Sequence, residues 1–141
     1  MKTIKEKISK ELDASPDKVW EVISAVGGVD KWFGSMIKSC KVENGKRFCQ
    51  TADGIDLVED ILEVNHETKT FRFAIPKQDM LPVEDIVEIM VVRDADNGRA
   101  TVDWSGSFKA TEENGKIAKE AFKNLWTMGL EEMENYIQQN L

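Results

Sequence analysis

The stretch GKIAKEAFKNLWTMGLEEMENYIQQN, residues 115–140, decides the fold, because it is the longest helical pattern in this 141-residue chain. Its apolar residues recur at spacings of three and four, which predicts an α-helix with a broad apolar stripe. The stripe consists of Ile117, Ala118, Ala121, Phe122, Leu125, Trp126, Gly129, Met133, Tyr136 and Ile137. So wide a stripe predicts a helix that a sheet contacts on more than one side.

The chain before this helix predicts an antiparallel meander. Asn44-Gly45, Asp53-Gly54 and Asn97-Gly98 are hairpin signals, because both central residues of a type I′ turn need a positive φ. Together with polar segments at 65–69 and 77–81, they separate six strand-length runs. The predicted strands cover roughly 36–43, 46–52, 55–64, 69–75, 83–93 and 99–110.

The N-terminal segments are less uniform. Residues 1–13 place apolar side chains four apart among charged neighbours, which fits either a strand with one solvent-facing side or a helix. Ser15 as N-cap and Pro16 at the first helical position predict a helix that ends at the glycines 27–28. A short second helical turn follows at 29–33.

This order of elements resembles that of the START-like or Bet v 1-like (SRPBCC) superfamily, and five motifs strengthen the resemblance. Segment 14–23, ASPDKVWEVI, resembles the opening motif of the superfamily, and Trp32-Phe33 resembles its tryptophan after the second short helix. Residues 45–47, 53–54 and 60–62 match the spacing of its G-x-R, d-G and E-x-L motifs, with Asp60 in place of the commoner glutamate.

Two later stretches are similar to one branch of the superfamily, the polyketide cyclase/dehydrase and lipid transport branch, particularly its MxaD-like members. They are residues 102–108, VDWSGSF, and Gly129-Leu130 in the last helix. The resemblance implies one START-like domain over residues 1–141 with an α+β helix-grip fold. In that fold a curved antiparallel sheet of about seven strands wraps a long C-terminal helix, and two short helices follow the first strand.

Charge and composition exclude several classes of function. The formal net charge of −7 argues against nucleic acid, because phosphate binding relies on clustered Lys and Arg, and it repels an anionic membrane surface. No run approaches the roughly 20 apolar residues of a membrane span, and the N-terminus lacks the apolar stretch of a signal peptide. We therefore expect a cytoplasmic protein without a membrane span, as a monomer or weak dimer.

Metal, nucleophile and nucleotide sites are not indicated. The chain has two cysteines and one histidine, which cannot complete a four-ligand zinc site and match no zinc spacing. His66 lies in a predicted turn, and the glycines at 27–28 and 34 follow a helix where a phosphate-binding loop would follow a strand. We expect no metal and no cofactor.

The cysteines are predicted to face each other. Counting outward from a two-residue turn at Asn44-Gly45 places Cys40 opposite Cys49 in a non-hydrogen-bonded pair, with the sulfurs within roughly 6 Å. A disulfide is sterically possible there. A cytoplasmic setting favours two reduced, packed thiols.

Large apolar side chains from distant segments are candidates to line a cavity between the sheet and the helix. They are Trp32, Phe71, Phe73, Met90, Trp104, Phe122 and Trp126. The plainer interpretation is that each fills the core. As a set they are what a pocket for an apolar guest needs.

An inward carboxylate would be the best indication of catalysis, because burial raises its pKa into the range of acid–base chemistry. Asp60 shares a strand face with Val58, Leu62 and Val64 and is one candidate. For the strand 83–93 two registers compete. A two-residue turn at Asn97-Gly98 pairs Val91 with Trp104, and the residues it turns inward are Val83, Asp85, Val87, Ile89 and Val91. The superfamily register instead turns Ile86, Met90 and Val92 inward together with Glu88.

Three hypotheses for function follow. The first is a non-enzymatic carrier or sensor that holds a small hydrophobic ligand, lipid-, isoprenoid- or polyketide-like, in an internal cavity. The second is a cyclase- or dehydratase-type enzyme in which Asp60 or Glu88 moves a proton. The third is a co-chaperone-like interaction module with an exposed apolar patch at Val87, Ile89 and Val91. The carrier is favoured because it needs neither a pair of facing polar groups nor such a patch.

Overall fold

The computed structural model describes residues 1–141, which form seven strands and three α-helices. The strands are β1 (Lys2–Leu12), β2 (Ile37–Glu43), β3 (Lys46–Thr51), β4 (Asp56–Asn65), β5 (Thr70–Ile75), β6 (Glu84–Asp94) and β7 (Ala100–Ala110). The helices are α1 (Pro16–Ser24), α2 (Val29–Trp32) and α3 (Glu112–Asn140). None of these helices is both long enough and apolar enough to cross a membrane.

All seven strands join in one antiparallel sheet with the order β1-β7-β6-β5-β4-β3-β2. The predicted meander runs from β2 to β7. The ambiguous N-terminal segment is a strand, because residues 2–12 pair with β7 along their whole length. This pairing carries Ile4 opposite Phe108 and Ile8 opposite Trp104.

Helix α3 packs on the concave face of the sheet and contacts β1, β7 and α2. It begins at Glu112, three residues before the predicted start, because the Thr111 side chain accepts a hydrogen bond from the Asn114 amide and caps it. Phe122, Gly129 and Met133 are buried as predicted, and Leu125 is half-buried. The helix-grip architecture predicted from the sequence is confirmed.

Two glycines let α3 approach the sheet closely. A Cβ atom on Gly129 would lie 3.0 Å from the Phe33 ring and 3.2 Å from the Trp104 ring. A Cβ atom on Gly106 of β7 would lie 3.1 Å from the Trp126 ring. Because neither residue has a side chain, the rings of Trp104 and Trp126 stack at 5.9 Å between the sheet and the helix.

The hairpin turns set the two registers that matter for function. Asn44-Gly45 is the predicted two-residue turn, with both φ angles positive and Glu43 opposite Lys46. Asn97-Gly98 is not one: a short 3-10 turn extends the loop, which Ala95 N closes by donating to Arg99 O at 2.8 Å. Met90 therefore faces Trp104, so the alternative that paired Val91 with Trp104 is wrong.

Candidate functional site

A cavity of about 100 Å³ lies between α3, the α1–α2 segment and the concave face of the sheet. Nineteen of its 23 lining residues are hydrophobic, so its wall suits an apolar guest. Arg47, Glu59, Gln78 and Glu88 supply the polar groups of the wall. The volume is well below the roughly 300 Å³ at which small-molecule pockets begin, so a guest of that size requires the wall to move.

The predicted lining residues meet at this cavity with one exception. Trp32, Phe71, Phe73, Met90, Trp104 and Phe122 line it. Trp126 is fully buried behind the wall, where its ring stacks on Trp104 at 5.9 Å and on Phe122 at 5.2 Å. Trp126 therefore does not line the cavity itself, but it contacts Trp104 and Phe122, which do.

Glu88 is the carboxylate that the structure places in the cavity wall. It lies on β6 between the inward residues Ile86 and Met90 and is 4% exposed. Its Oε1 accepts hydrogen bonds from Trp104 Nε1 at 2.8 Å and from Trp126 Nε1 at 2.9 Å. No protein group donates a hydrogen bond to its Oε2, and Glu88 is one of the residues that line the cavity.

The environment of Glu88 raises its pKa to about 7. Burial is the main cause, and the negative charge of Glu59 adds to it. The two indole N–H groups and the positive charge of Arg47 act in the opposite direction and are outweighed. Near neutral pH this carboxyl can therefore accept or release a proton, or accept a hydrogen bond from a guest.

A buried ion pair forms another part of the cavity wall. Arg47 of β3 lies directly across from Glu59 of β4, and Arg47 Nε donates to Glu59 Oε1 at 2.5 Å. Arg47 Nη1 donates to Val26 O at 2.9 Å. The guanidinium carbon lies 4.8 Å from the centroid of Phe73 and 5.3 Å from that of Phe71, a cation–π arrangement.

These contacts keep Arg47 charged although it is buried. Burial acts to lower the pKa of Arg47, but the adjacent Glu59 carboxylate outweighs it, and the pKa is raised overall. The ion pair is therefore a fixed dipole in the cavity wall. Arg47 Nε and Nη1 already donate hydrogen bonds, to Glu59 and to Val26 O.

Asp60 lies on the outer face of the sheet, so its predicted inward position is wrong. It pairs with Lys46 at the surface, and its side chain is 35% exposed. Val58 and Leu62, which share its face, are also exposed. The inward residues of this part of β4 are Leu57 and Glu59.

A β-bulge explains the error. The register of β4 against β5 shifts between Ile61 and Glu63, so that Ile61 faces Phe73 and Val64 faces Phe71. Ile61 and Val64 therefore both lean towards the core although they are three residues apart. If strict alternation is counted back from Val64, every residue of β4 before the bulge is assigned to the wrong face of the sheet.

The cysteines and the histidine lie where they contribute to the wall and its support. Cys40 faces Cys49 with the sulfurs 3.5 Å apart, as predicted, and Cys49 lines the cavity. His66 Nδ1 accepts from Trp20 Nε1 at 3.1 Å, which ties the β4–β5 turn to α1. No three His, Cys, Asp or Glu side chains converge in a metal-binding arrangement.

Several known structures share this architecture. An uncharacterized protein from Bacillus thuringiensis superposes with a TM-score of 0.85 at 20% identity, over 96% of this chain and 99% of that one. The protein XoxI from Bacillus cereus gives 0.85 at 21% identity, over 95% of each chain. These identities show that the fold is shared and nothing finer.

A plant enzyme has the same fold. Norcoclaurine synthase from Thalictrum flavum, in a complex with dopamine and hydroxybenzaldehyde, gives a TM-score of 0.80 at 14% identity. The alignment covers 99% of this chain and 89% of the enzyme. No curated protein matches the sequence.

The sequence itself matches a family model. The match extends over residues 3–138, and the model describes polyketide cyclases/dehydrases and lipid transport proteins. It therefore covers all of the sheet except Lys2, and all of α3 except its last two residues. The narrower MxaD-like assignment stays a prediction. This chain belongs to the polyketide cyclase/dehydrase and lipid transport family.

Proposed function

We propose that this protein binds a small hydrophobic molecule carrying one polar group in the cavity between α3 and the sheet, where Glu88 orients it. The observation that carries the proposal is Glu88 in the mostly apolar wall of the cavity, because its second oxygen accepts no hydrogen bond from the protein. The family description, with its cyclases and lipid transport proteins, supports the same class of ligand.

The energetic cost of Glu88 supports a role beyond packing. Burial disfavours the ionised carboxylate and raises the pKa of Glu88 to about 7. A methionine or glutamine of similar size would fill the same space without this cost. A bound ligand with an N–H or O–H group would donate to the carboxylate and reduce the cost.

The size of the cavity indicates which part of the wall has to move. The segment between β5 and β6, residues 76–83, has no helix or strand, and Gln78, Met80 and Leu81 of this segment line the cavity. On its other side lies an outer groove of about 740 Å³. Gln78 and Met80 line both spaces, so displacement of this segment would join the cavity to the groove.

The Gln78 side chain holds this segment closed. Its Nε2 donates to Leu81 O and to Val83 O, each at 3.0 Å, and its Oε1 accepts from Leu81 N at 2.8 Å. We infer that the ligand enters here.

We also infer that residues 1–141 act as one domain, because a single cluster of 29 buried residues extends from β1 to α3.

The test is a titration of tryptophan fluorescence with a panel of fatty acids, isoprenoids and aromatic polyketides. Trp32 and Trp104 line the cavity, whereas Trp20 lies outside it and serves as the matched control. We expect saturable quenching that is reduced in Trp104→Phe and unchanged in Trp20→Phe. Absence of any response across the panel, together with no small molecule in native mass spectra of protein from its own host, would contradict the proposal.

A second candidate, proton transfer on a bound substrate, is favoured by one observation. The pKa of Glu88 is raised to about 7, which suits a general acid or base at neutral pH. Glu88→Gln keeps one acceptor oxygen for both indoles, replaces the second oxygen by an amide nitrogen and cannot transfer a proton. Both functions therefore predict weaker ligand binding in this variant, and only the enzyme predicts that the wild type converts the bound ligand and that the variant loses this turnover.

A further inference from the structure

We propose that Cys40 and Cys49 form a reversible oxidation site beside the cavity, whose wall Cys49 lines, and that the dithiol closes to a disulfide by exchange with small-molecule disulfides such as oxidised glutathione. The proposal does not depend on which ligand the cavity holds. It rests on three features of the pair: its geometry, the unequal surroundings of the two thiols, and its position at the edge of the sheet.

The geometry already resembles that of a cross-strand disulfide. Cys40 and Cys49 are direct partners on β2 and β3, and their sulfurs lie 3.5 Å apart. Counting outward from the Asn44-Gly45 turn makes them a non-hydrogen-bonded pair, in which Cα atoms are about 4.5 Å apart. A disulfide tolerates Cα separations from about 4.4 Å, so the sulfurs need to approach by only roughly 1.5 Å.

The position of the pair leaves room for this movement. β2 is an edge strand of the sheet, with β3 as its only neighbour. A register shift between Ile37 and Ser39 already interrupts its pairing just before Cys40. Cys49 is held on both sides, by Cys40 of β2 and by Leu57 of β4, so most of the movement falls to Cys40 on the edge strand, which has no second neighbour to lose.

The two thiols have different surroundings, which assigns them different roles. Cys40 is half-buried and reachable from solvent, whereas Cys49 is 6% exposed. Cys49 Sγ donates a hydrogen bond to Cys40 Sγ, and this contact is the main reason why the pKa of Cys40 falls to about 6. The same contact raises the pKa of Cys49.

The charged neighbours act on both thiols. Arg47 favours the thiolate of each cysteine and Glu59, whose Oε1 is 4.0 Å from Cys49 Sγ, opposes it. The backbone amide of Val29 also favours the Cys40 thiolate. Cys40 is therefore the attacking thiol, since the thiolate is the nucleophile, and Cys49 is the resolving thiol.

The reaction proceeds in two exchange steps. The Cys40 thiolate attacks one sulfur of oxidised glutathione, forms a mixed disulfide and releases one glutathione thiolate, which takes up a proton. Cys49 then loses its proton and attacks the Cys40 sulfur, which releases the second glutathione. Overall the protein dithiol loses two electrons and two protons, and one glutathione disulfide becomes two glutathione thiols.

The experiment incubates the reduced, folded protein in glutathione buffers of increasing oxidised fraction, quenches with acid, alkylates free thiols and records intact masses. For the wild type we expect a monomer that has lost two hydrogens and carries no alkyl group, and that a dithiol reductant restores. Cys49→Ser removes the resolving thiol and is expected to stop at the mixed disulfide on Cys40.

Cys40→Ser is the matched control, because only the buried thiol remains. We expect its reaction with oxidised glutathione to be at least about tenfold slower than that of Cys49→Ser. Circular dichroism establishes that both variants are folded. A wild type that accumulates the glutathione adduct, forms only intermolecular disulfides, or reacts only after denaturation would overturn the proposal.

Discussion

Trp126 of α3 donates its indole N–H to Oε1 of Glu88 on β6 at 2.9 Å, and Trp104 of β7 donates to the same oxygen at 2.8 Å. One carboxylate oxygen therefore connects the long helix to two adjacent strands. The other oxygen accepts no hydrogen bond from the protein, and Glu88 lines the cavity. This division makes Glu88 both a support for α3 and the polar group that a ligand would meet.

Glu88→Gln should change how stability depends on pH. The folded protein ionises Glu88 near pH 7, against an ordinary value of 4.5, so between these values the unfolded chain binds fewer protons. Wild-type stability therefore falls as pH rises through this window, by up to about 3 kcal/mol. We expect the stability of Glu88→Gln relative to the wild type to increase from pH 4.5 to 7, as measured by urea unfolding.

Asp60→Asn is the control for this measurement, because Asp60 is a surface carboxylate paired with Lys46. Because an exposed ion pair contributes at most about 1 kcal/mol, the stability of Asp60→Asn should stay within about that amount of the wild type over the same range. If Glu88→Gln followed the wild type in parallel across the whole range, Glu88 would not carry the raised pKa.

The sequence predicted the fold and most of the cavity because these depend on strong local signals. Asn44-Gly45 fixed the Cys40–Cys49 pairing, and the spacing of Phe122 and Trp126 fixed the face of α3. Glu59 was missed because the β-bulge between Ile61 and Glu63 changes the phase of β4. Counting outward from a two-residue turn at Asp53-Gly54 does not recover it, since that count pairs Arg47 with Asp60, whereas the structure pairs Arg47 with Glu59.

The loop before β7 illustrates the same limit. Asn97-Gly98 has the composition of a two-residue turn, and both residues do have a positive φ. Yet the loop is longer, because a 3-10 turn precedes Arg99. The turn residues alone do not decide the register of β6. That Ile86, Glu88 and Met90 are its buried residues follows only from its pairing with the neighbouring strands.

The two ion pairs between β3 and β4 should differ sharply in their contribution to stability. Arg47→Met leaves Glu59 buried without its partner, which typically costs about 3–5 kcal/mol. Lys46→Met removes the neighbouring ion pair on the outer face, where the cost is at most about 1 kcal/mol. Urea unfolding measures both. Similar losses in the two variants would show that the Arg47–Glu59 pair is not shielded from water.

The double variant Arg47→Met/Glu59→Gln separates the ion pair from simple packing. Removing both charges takes away the unpaired buried carboxylate, so we expect it to recover a large part of the stability lost in Arg47→Met alone. If the double variant is at least as unstable as Arg47→Met, the cation–π contacts with Phe71 and Phe73 dominate instead.

Gly106→Ala should disturb the contact between the sheet and α3. The added methyl group would lie 3.1 Å from the ring of Trp126, which is fully buried and cannot move away freely. Overpacking of this kind costs roughly 1–3 kcal/mol, and it displaces Trp126 from Glu88. We expect lower stability and a changed near-ultraviolet circular dichroism spectrum. A variant as stable as the wild type with an unchanged spectrum would contradict this packing.

Gln78→Ala tests whether the segment 76–83 controls entry to the cavity. The variant removes three hydrogen bonds within this segment, to Leu81 O, Val83 O and Leu81 N, while the strands on either side keep their pairing. Local opening becomes less costly, so we expect faster amide hydrogen exchange in residues 76–83. For a ligand that binds, the association and dissociation rates should both rise severalfold, because each passage needs the same opening.

Lys77→Ala, at the exposed neighbouring position with no such bonds, is the matched control and should leave both rates unchanged. Stopped-flow fluorescence of the cavity tryptophans gives the rates, and the affinity should change far less than either of them. Faster exchange in Gln78→Ala without faster ligand kinetics would place the entrance elsewhere on the molecule.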